Sequence, residues 1–351
     1  MTAPPVASTE IRPITLHDAD LPLSGLIAEP ERAAPRAVVV ALHGGGMRAG
    51  YFHGQALPSL SLLALGARLG YTVLALDRPG YGASAERLPD GQSLTEQSAT
   101  LRRALGRFAA ERDTGEGLFV VAHSFGGKVA LTLAADAADA ADAGDGRDGR
   151  DGRDAGDAGD AGDAADAGDA GDAGDAGDAG DAGDESAGAD VELLGLDISG
   201  CARHYAPDVP LPGAACRDSR RLHWGPLRLY PPGTFRESGP IVAPLPAREL
   251  HEWEHWPARF PGLAARIRVP VRLTFAEYED WWRHGPAETE ELTRLLAGAP
   301  AVVCRQRAAG HNISLGWSAR AYHLRALRFL EDCLARRRRA PHEALSPHPL
   351  P

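Results

Sequence analysis

Apolar residues gather in short unbroken runs separated by longer mixed stretches. Ala37-Val-Val-Val-Ala-Leu42, Tyr71-Thr-Val-Leu-Ala-Leu76 and Leu118-Phe-Val-Val-Ala122 show no polar alternation. Runs of that length without a polar face mark buried strands. The first two give strands expected over 37–43 and 71–77, and further strands are expected near 10–15, 23–29, 191–199, 269–275 and 301–304. Between them the pattern predicts helices near 55–69, over 94–111 and over 126–135. Ser93-Leu-Thr-Glu96 announces the second of these, because a serine followed three residues later by glutamate forms a capping box. Strands alternating with helices imply a mainly parallel sheet covered by helices on both faces, with ligands bound beyond the carboxyl ends of the strands.

The chemistry sits in the loops that follow these runs. Leu118–Ala122 leads directly into His123-Ser124-Phe125-Gly126-Gly127, so a strand meets a helix at a serine with Ala122 two residues before it and Gly126 two after. Only tiny residues fit that turn, which lifts a serine Oγ out of the sheet and aims the next N–H at a substrate oxygen. The 37–42 run ends in His43-Gly-Gly-Gly46, a loop able to present a second N–H near Gly45. The 71–76 run ends in Asp77-Arg-Pro-Gly-Tyr-Gly-Ala-Ser84. Val269–Phe275 opens on Ala276-Glu277-Tyr278-Glu279-Asp280, and Ala301–Cys304 precedes Gly310-His311-Asn312.

In this order (oxyanion loop, Asp-x-x-Gly-x-Gly-x-Ser loop, nucleophile, acid, histidine) the strings resemble the α/β-hydrolase superfamily, in a serine esterase or thioesterase branch with an HGGG-type loop. The resemblance covers most of residues 10 to 335 apart from one insertion. It implies an α/β-hydrolase fold with Ser124 as nucleophile, His311 as general base, and Phe125 with Gly45 as oxyanion donors. Glu279 holds the position of the acid, and a glutamate can orient an imidazole as aspartate does. Asp197, Glu277 and Asp280 stay open as alternatives. The implied reaction is cleavage of a small-molecule carboxylic ester or thioester through an acyl-enzyme. Acyl transfer, C–C hydrolysis and peptide hydrolysis remain alternatives on the same triad, and a non-catalytic ligand-binding role is a further one. No cofactor or metal is expected.

Other polar residues read as bracing. His43 is expected to be buried in its loop, His123 to point into the sheet, and Asp77 to cap a strand end. His251-Glu252-Trp253-Glu254-His255 matches HExxH, which on a helix can hold zinc. Pro246 and Pro257 bound it and its flanks are charged, so a zinc site is not the expected reading.

Composition changes the picture in one place. From Asp136 to Asp184 every third residue is aspartate, 17 in all, and residues 136–190 carry 19 acids, 3 bases and no Val, Ile, Leu, Met or aromatic residue. A segment with nothing large to bury is expected to be disordered. Without it the other 296 residues hold 34 bases and 29 acids, so the net charge of −11 belongs to the repeat and says nothing about substrate. The expected organisation is therefore a core over 1–135, the repeat over 136–190, a core strand over 191–202, a lid over 203–262, core again over 263–335, and a basic, Pro-rich tail over 336–351. The lid holds Tyr205, Trp224, Tyr230, Phe235, Trp253, Trp256 and Phe260, and with Trp281 and Trp282 they suggest an apolar or aromatic acyl group. Arg336–Arg339 reads as a solvated helix end, without the aromatic interleaving of a nucleic-acid surface. No apolar run approaches 18 residues and no leader pattern precedes Ile11, so no signal peptide or membrane span is expected. Cys201, Cys216, Cys304 and Cys333 are widely spaced, as in a reducing cytoplasm. Oligomeric state is open.

Overall fold

Eight strands carry the chain: β1 (Ile11–Asp18), β2 (Leu21–Ala28), β3 (Val38–Leu42), β4 (Thr72–Leu76), β5 (Leu118–His123), β6 (Leu193–Ser199), β7 (Val271–Tyr278) and β8 (Ala301–Gly310). The α-helices are α1 (Leu62–Arg68), α2 (Leu94–Glu111), α3 (Phe125–Asp148), α4 (Ser219–Trp224), α5 (Thr234–Glu237), α6 (Ala247–Ala264), α7 (Pro286–Leu295) and α8 (Ala319–Ala344). These come from a computed structural model that describes residues 9–31, 33–54, 56–148, 192–207, 209, 219–237 and 239–344. Residues 149–191, which hold most of the aspartate repeat, lie outside the described residues, as do Cys216 and the end of the tail.

One sheet contains all the strands in the order β1-β2-β4-β3-β5-β6-β7-β8. Pairing is antiparallel for β1–β2 and β2–β4 and parallel from β4 to β8. Side chains alternate along each strand, so Val38, Val40 and Leu42 enter one core with Leu101, Val129 and Trp256, while Val39 and Ala41 enter the other with Leu63, Leu327 and Leu330. Helices α2, α3 and α6 therefore cover one face and α1 and α8 the other. That double burial is why the central strands read as unbroken apolar runs. This is the α/β-hydrolase arrangement, and the parallel strands end together on one rim.

Several elements differ from expectation. The helix expected over 55–69 is a 3-10 turn, Pro58–Leu60, followed by α1, because Ser61 caps a fresh start by accepting from the Ala64 N–H at 3.2 Å. Strand β8 runs to Gly310 rather than Cys304; it is the sheet edge, so its outer half carries Arg305 and Arg307 in place of an apolar signal. Helix α3 continues past Ala135 into the repeat, to Asp148. The repeat's alanines favour helix, Ser98 Oγ donates to Asp136 at 2.7 Å, and Arg266 pairs with Asp139. Helix α8 likewise carries Arg336–Arg339 within it, where Arg337 pairs with Glu192 and Arg338 with Glu116. The capping box at Ser93 and Glu96 is present. Among the described residues no helix is long and apolar enough to cross a membrane, and Cys201, Cys304 and Cys333 are free.

Candidate active site

Strand β5 turns into α3 at Ser124, whose φ of +52° is a left-handed value that a non-glycine residue adopts at a cost of about 1–3 kcal/mol. The surroundings enforce it. The Ser124 N–H donates to the Ser199 carbonyl of β6 at 2.8 Å, and a Cβ on Gly126 would lie 2.4 Å from the Leu42 carbonyl oxygen. Ala122 two residues earlier is wholly buried between neighbouring strands. The tight turn thus follows from close backbone approach on both sides of the serine, and it leaves Ser124 half-buried while its neighbours are buried.

His311 follows β8 directly and places Nε2 3.1 Å from Ser124 Oγ. Its Nδ1 lies 2.9 Å from both carboxylate oxygens of Glu279, which sits just past β7. The Trp281 N–H donates to Glu279 Oε1 at 3.1 Å and fixes the carboxylate from its far side. Burial weakens the proton affinity of the His311 imidazole and strengthens that of the Glu279 carboxyl, while the Trp281 N–H opposes the second effect. Gly200, at the end of β6, makes the pair possible: at φ +58° a Cβ there would stand 2.9 Å from His311 Nδ1 and 3.2 Å from Glu279 Oε2. Nothing in the local sequence around Gly200 signals this requirement, which only the packed loops impose.

The alternative acids are engaged elsewhere. Asp197 lies within β6, wholly buried, with Oδ2 2.6 Å from Arg272 Nε and the Tyr322 hydroxyl donating to Oδ1 at 2.9 Å. Glu277 is exposed and accepts from the Ala308 N–H at 2.7 Å. Asp280 pairs with Arg221 at 3.2 Å.

The His43-Gly-Gly-Gly46 loop faces the serine, with a Cβ on Gly44 falling 3.1 Å from Ser124 Cβ. Among the described residues the Gly45 and Phe125 N–H groups find no acceptor, and both residues line the cavity in front of Ser124. Arg78 clamps this loop. Its Nε donates to the His43 carbonyl at 2.8 Å, its own N–H donates to His43 Nε2 at 3.0 Å, and its guanidinium pairs with Glu249 of α6 with both partners wholly buried. The Tyr81 hydroxyl donates to the same carboxylate at 2.8 Å and accepts the Gly46 N–H at 3.0 Å. His43 is thus a buried brace. Asp77 accepts from Ser24 Oγ and the Ala49 N–H, both at 2.7 Å, and His123 Nδ1 lies 3.0 Å from Ser199 Oγ.

The cavity measures about 180 Å³ and is walled by Tyr205, Trp253, Trp281, Trp282, His223 and Lys128 beside the residues above. Of the aromatic residues expected at its mouth, Trp224, Tyr230 and Phe235 pack instead on one another, and Trp256 and Phe260 lie in the core. Sequence reasoning missed Lys128, although it lies in the first turn of the helix that follows Ser124. It missed His223 as well, which no spacing announces. The HExxH string lies in α6, which continues through Pro257 and Pro261 to Ala264 and is longer than its prolines suggest. Glu252 accepts from the Leu94 N–H at 3.1 Å and pairs with Arg259, while His255 Nδ1 lies 2.9 Å from the His251 carbonyl. Among the described residues no cluster of His, Cys, Asp or Glu has the arrangement of a metal site.

Comparison with known proteins bears on the fold. The family described as "alpha/beta hydrolase fold" matches residues 37–143, the stretch from β3 through the elbow into α3. Among solved structures, an N-acyl homoserine lactonase complexed with N-hexanoyl homoserine aligns at 14% identity and TM-score 0.54, over 92% of this chain and 98% of its own. The thioesterase domain from the curacin biosynthetic pathway aligns at 14% and 0.51, over 91% and 99%. Monoacylglycerol lipase of Paleococcus ferrophilus aligns at 17% and 0.50, over 92% and 99%. No curated protein matches the chain. At these identities the likeness establishes the fold: the chain is an α/β-hydrolase-fold protein.

Proposed function

We propose that the protein is a serine hydrolase that cleaves a carboxylic ester or thioester through an acyl-enzyme. The observation that carries this reading is the continuous line Ser124 Oγ, His311 Nε2, His311 Nδ1, Glu279, with steps of 3.1 and 2.9 Å, opening on a cavity lined by aromatic side chains. Ser124 attacks the acyl carbonyl as His311 Nε2 takes its proton. Glu279 accepts from Nδ1–H, which holds the productive tautomer and stabilises the imidazolium. The Phe125 and Gly45 N–H groups receive the developing oxyanion, and being unpaired beforehand they need not be freed for the task. His311 then protonates the leaving oxygen or sulfur, water enters, and the same steps release the acid. Burial keeps Nε2 unprotonated before attack, at the expense of basicity, and the Glu279 carboxylate on Nδ1 counters that loss by stabilising the imidazolium.

The segment between β6 and β7 acts as the lid and selects a compact group. An apolar cavity of about 150 Å³ accommodates benzene, so about 180 Å³ walled by indoles suits a group of similar size. A fluorophosphonate probe tests the reading: it labels Ser124, and Ser124→Ala removes both labelling and ester turnover, by about 10³-fold or more in kcat. Persistent labelling of the alanine variant would overturn it.

A further inference from the structure

Lys128 lies in the first turn of α3, four residues after Ser124, and both side chains line the cavity. The lysine is only 2% exposed. Its Nζ donates to the Tyr205 hydroxyl at 2.5 Å and lies 5.1 to 5.8 Å from the centroids of Phe125, Tyr205, Trp253, Trp256 and Trp282. Rings at that distance attract a cation. The other buried cations each have a carboxylate, Arg78 with Glu249 and Arg272 with Asp197, whereas Lys128 forms no ion pair among the described residues. An ammonium has three N–H donors and Tyr205 accepts one. The remaining donors find no carboxylate on the wall of the substrate cavity, so the ammonium is costly to keep there unless an anion arrives to pair with it or the proton is lost.

We propose that Lys128 is an anion subsite, and that the compact group entering the cavity carries a carboxylate which this ammonium receives. The inference rests on the acyl-hydrolase reading and narrows its substrate to esters or thioesters bearing a free carboxylate on the acyl or the alcohol side. The aromatic wall packs the body of the group, and the ammonium fixes its end. The charge is sensitive to pH. Burial lowers the ammonium to about 7; Cys201 after β6 and Glu249 and Glu252 on α6 pull it up, Arg78 pulls it down, and the Tyr205 hydroxyl bonds it directly. The subsite is therefore charged below that pH and loses its charge above it.

Two matched ester pairs test the proposal and separate the two sides. Mono-para-nitrophenyl succinate against para-nitrophenyl butanoate reports the acyl side; para-acetoxybenzoate against its methyl ester reports the alcohol side. In one pair wild-type kcat/KM favours the carboxylate ester by about 10-fold or more, the strength of a hydrogen bond to a charged group. Lys128→Met lowers that ratio by a similar factor, and in the wild type the ratio falls as pH rises through about 7. Equal rates in both pairs, or a preference unchanged in Lys128→Met and flat with pH, would overturn the subsite and leave the hydrolase reading standing. Absence of all turnover and of fluorophosphonate labelling would instead defeat the hydrolase reading. Calorimetry then decides the lysine independently: Ser124→Ala protein binds benzoate over benzamide, and adding Lys128→Met abolishes the difference, whereas equal binding of the two would refute the subsite.

Discussion

At the scale of single residues, the site depends on three side chains held by backbone that few alternatives could replace. Glu279→Gln keeps the shape of the acid but removes the charge that holds the imidazole tautomer, so kcat should fall by about 10²- to 10⁴-fold with little change in folding. Asp197→Asn should show the reverse, a loss of stability with the rate nearly kept, because that carboxylate serves Arg272 and Tyr322. Parallel kcat and urea-midpoint measurements on the two variants distinguish them, and a larger kcat loss in Asp197→Asn would reassign the acid. That Ser124, His311 and Glu279 come together was legible because each follows a strand end at a fixed short distance, a local property of sequence. Gly200 was not legible: its lack of a side chain matters only once β8 and β7 deliver His311 and Glu279 beside it. Lys128 fell between these cases, recoverable from its place in the first turn after Ser124 but indistinguishable from a surface lysine until the rings closed around it.

At the scale of elements, the legible ones are those buried on both faces, β3, β4 and β5, and the one whose cap is written in sequence, α2. Elements with one polar flank were misjudged in length, as β8 and α3 show. Helix α6 bears most directly on the site, since Glu249 reaches through the wall to Arg78, which holds the loop carrying Gly45. Glu249→Ala leaves the guanidinium buried and unpaired, at a cost of about 3–5 kcal/mol in unfolding free energy, and should slow fluorophosphonate labelling in protein that remains folded. Urea titration alongside labelling rates checks both halves; a shift below 1 kcal/mol would show that the pair is not the clamp described. The same helix carries the HExxH string, in which Glu252, the residue that such a motif uses as base, is engaged in capping α2 and with Arg259.

At the scale of the whole molecule, the parallel strands end on one rim, so loops far apart in sequence converge there, joined by Tyr205, His223 and Trp253 from between β6 and β7. Chain order made that convergence readable, because the resemblance specified which loops must meet. The size of the cavity and the identity of its wall were not readable, since they depend on which aromatic residues turn inward: four of the nine expected do so. That wall has a consequence for observing the protein. Of its six tryptophans, Trp253, Trp281 and Trp282 border the cavity, and Trp317 is about half exposed. Half of the indoles thus lie where a bound group would touch them, so the chain carries its own optical reporter of occupancy. Benzoate titrated into Ser124→Ala protein should change the emission in a saturable way, and an unaltered spectrum at concentrations where calorimetry records binding would place the ligand away from these rings.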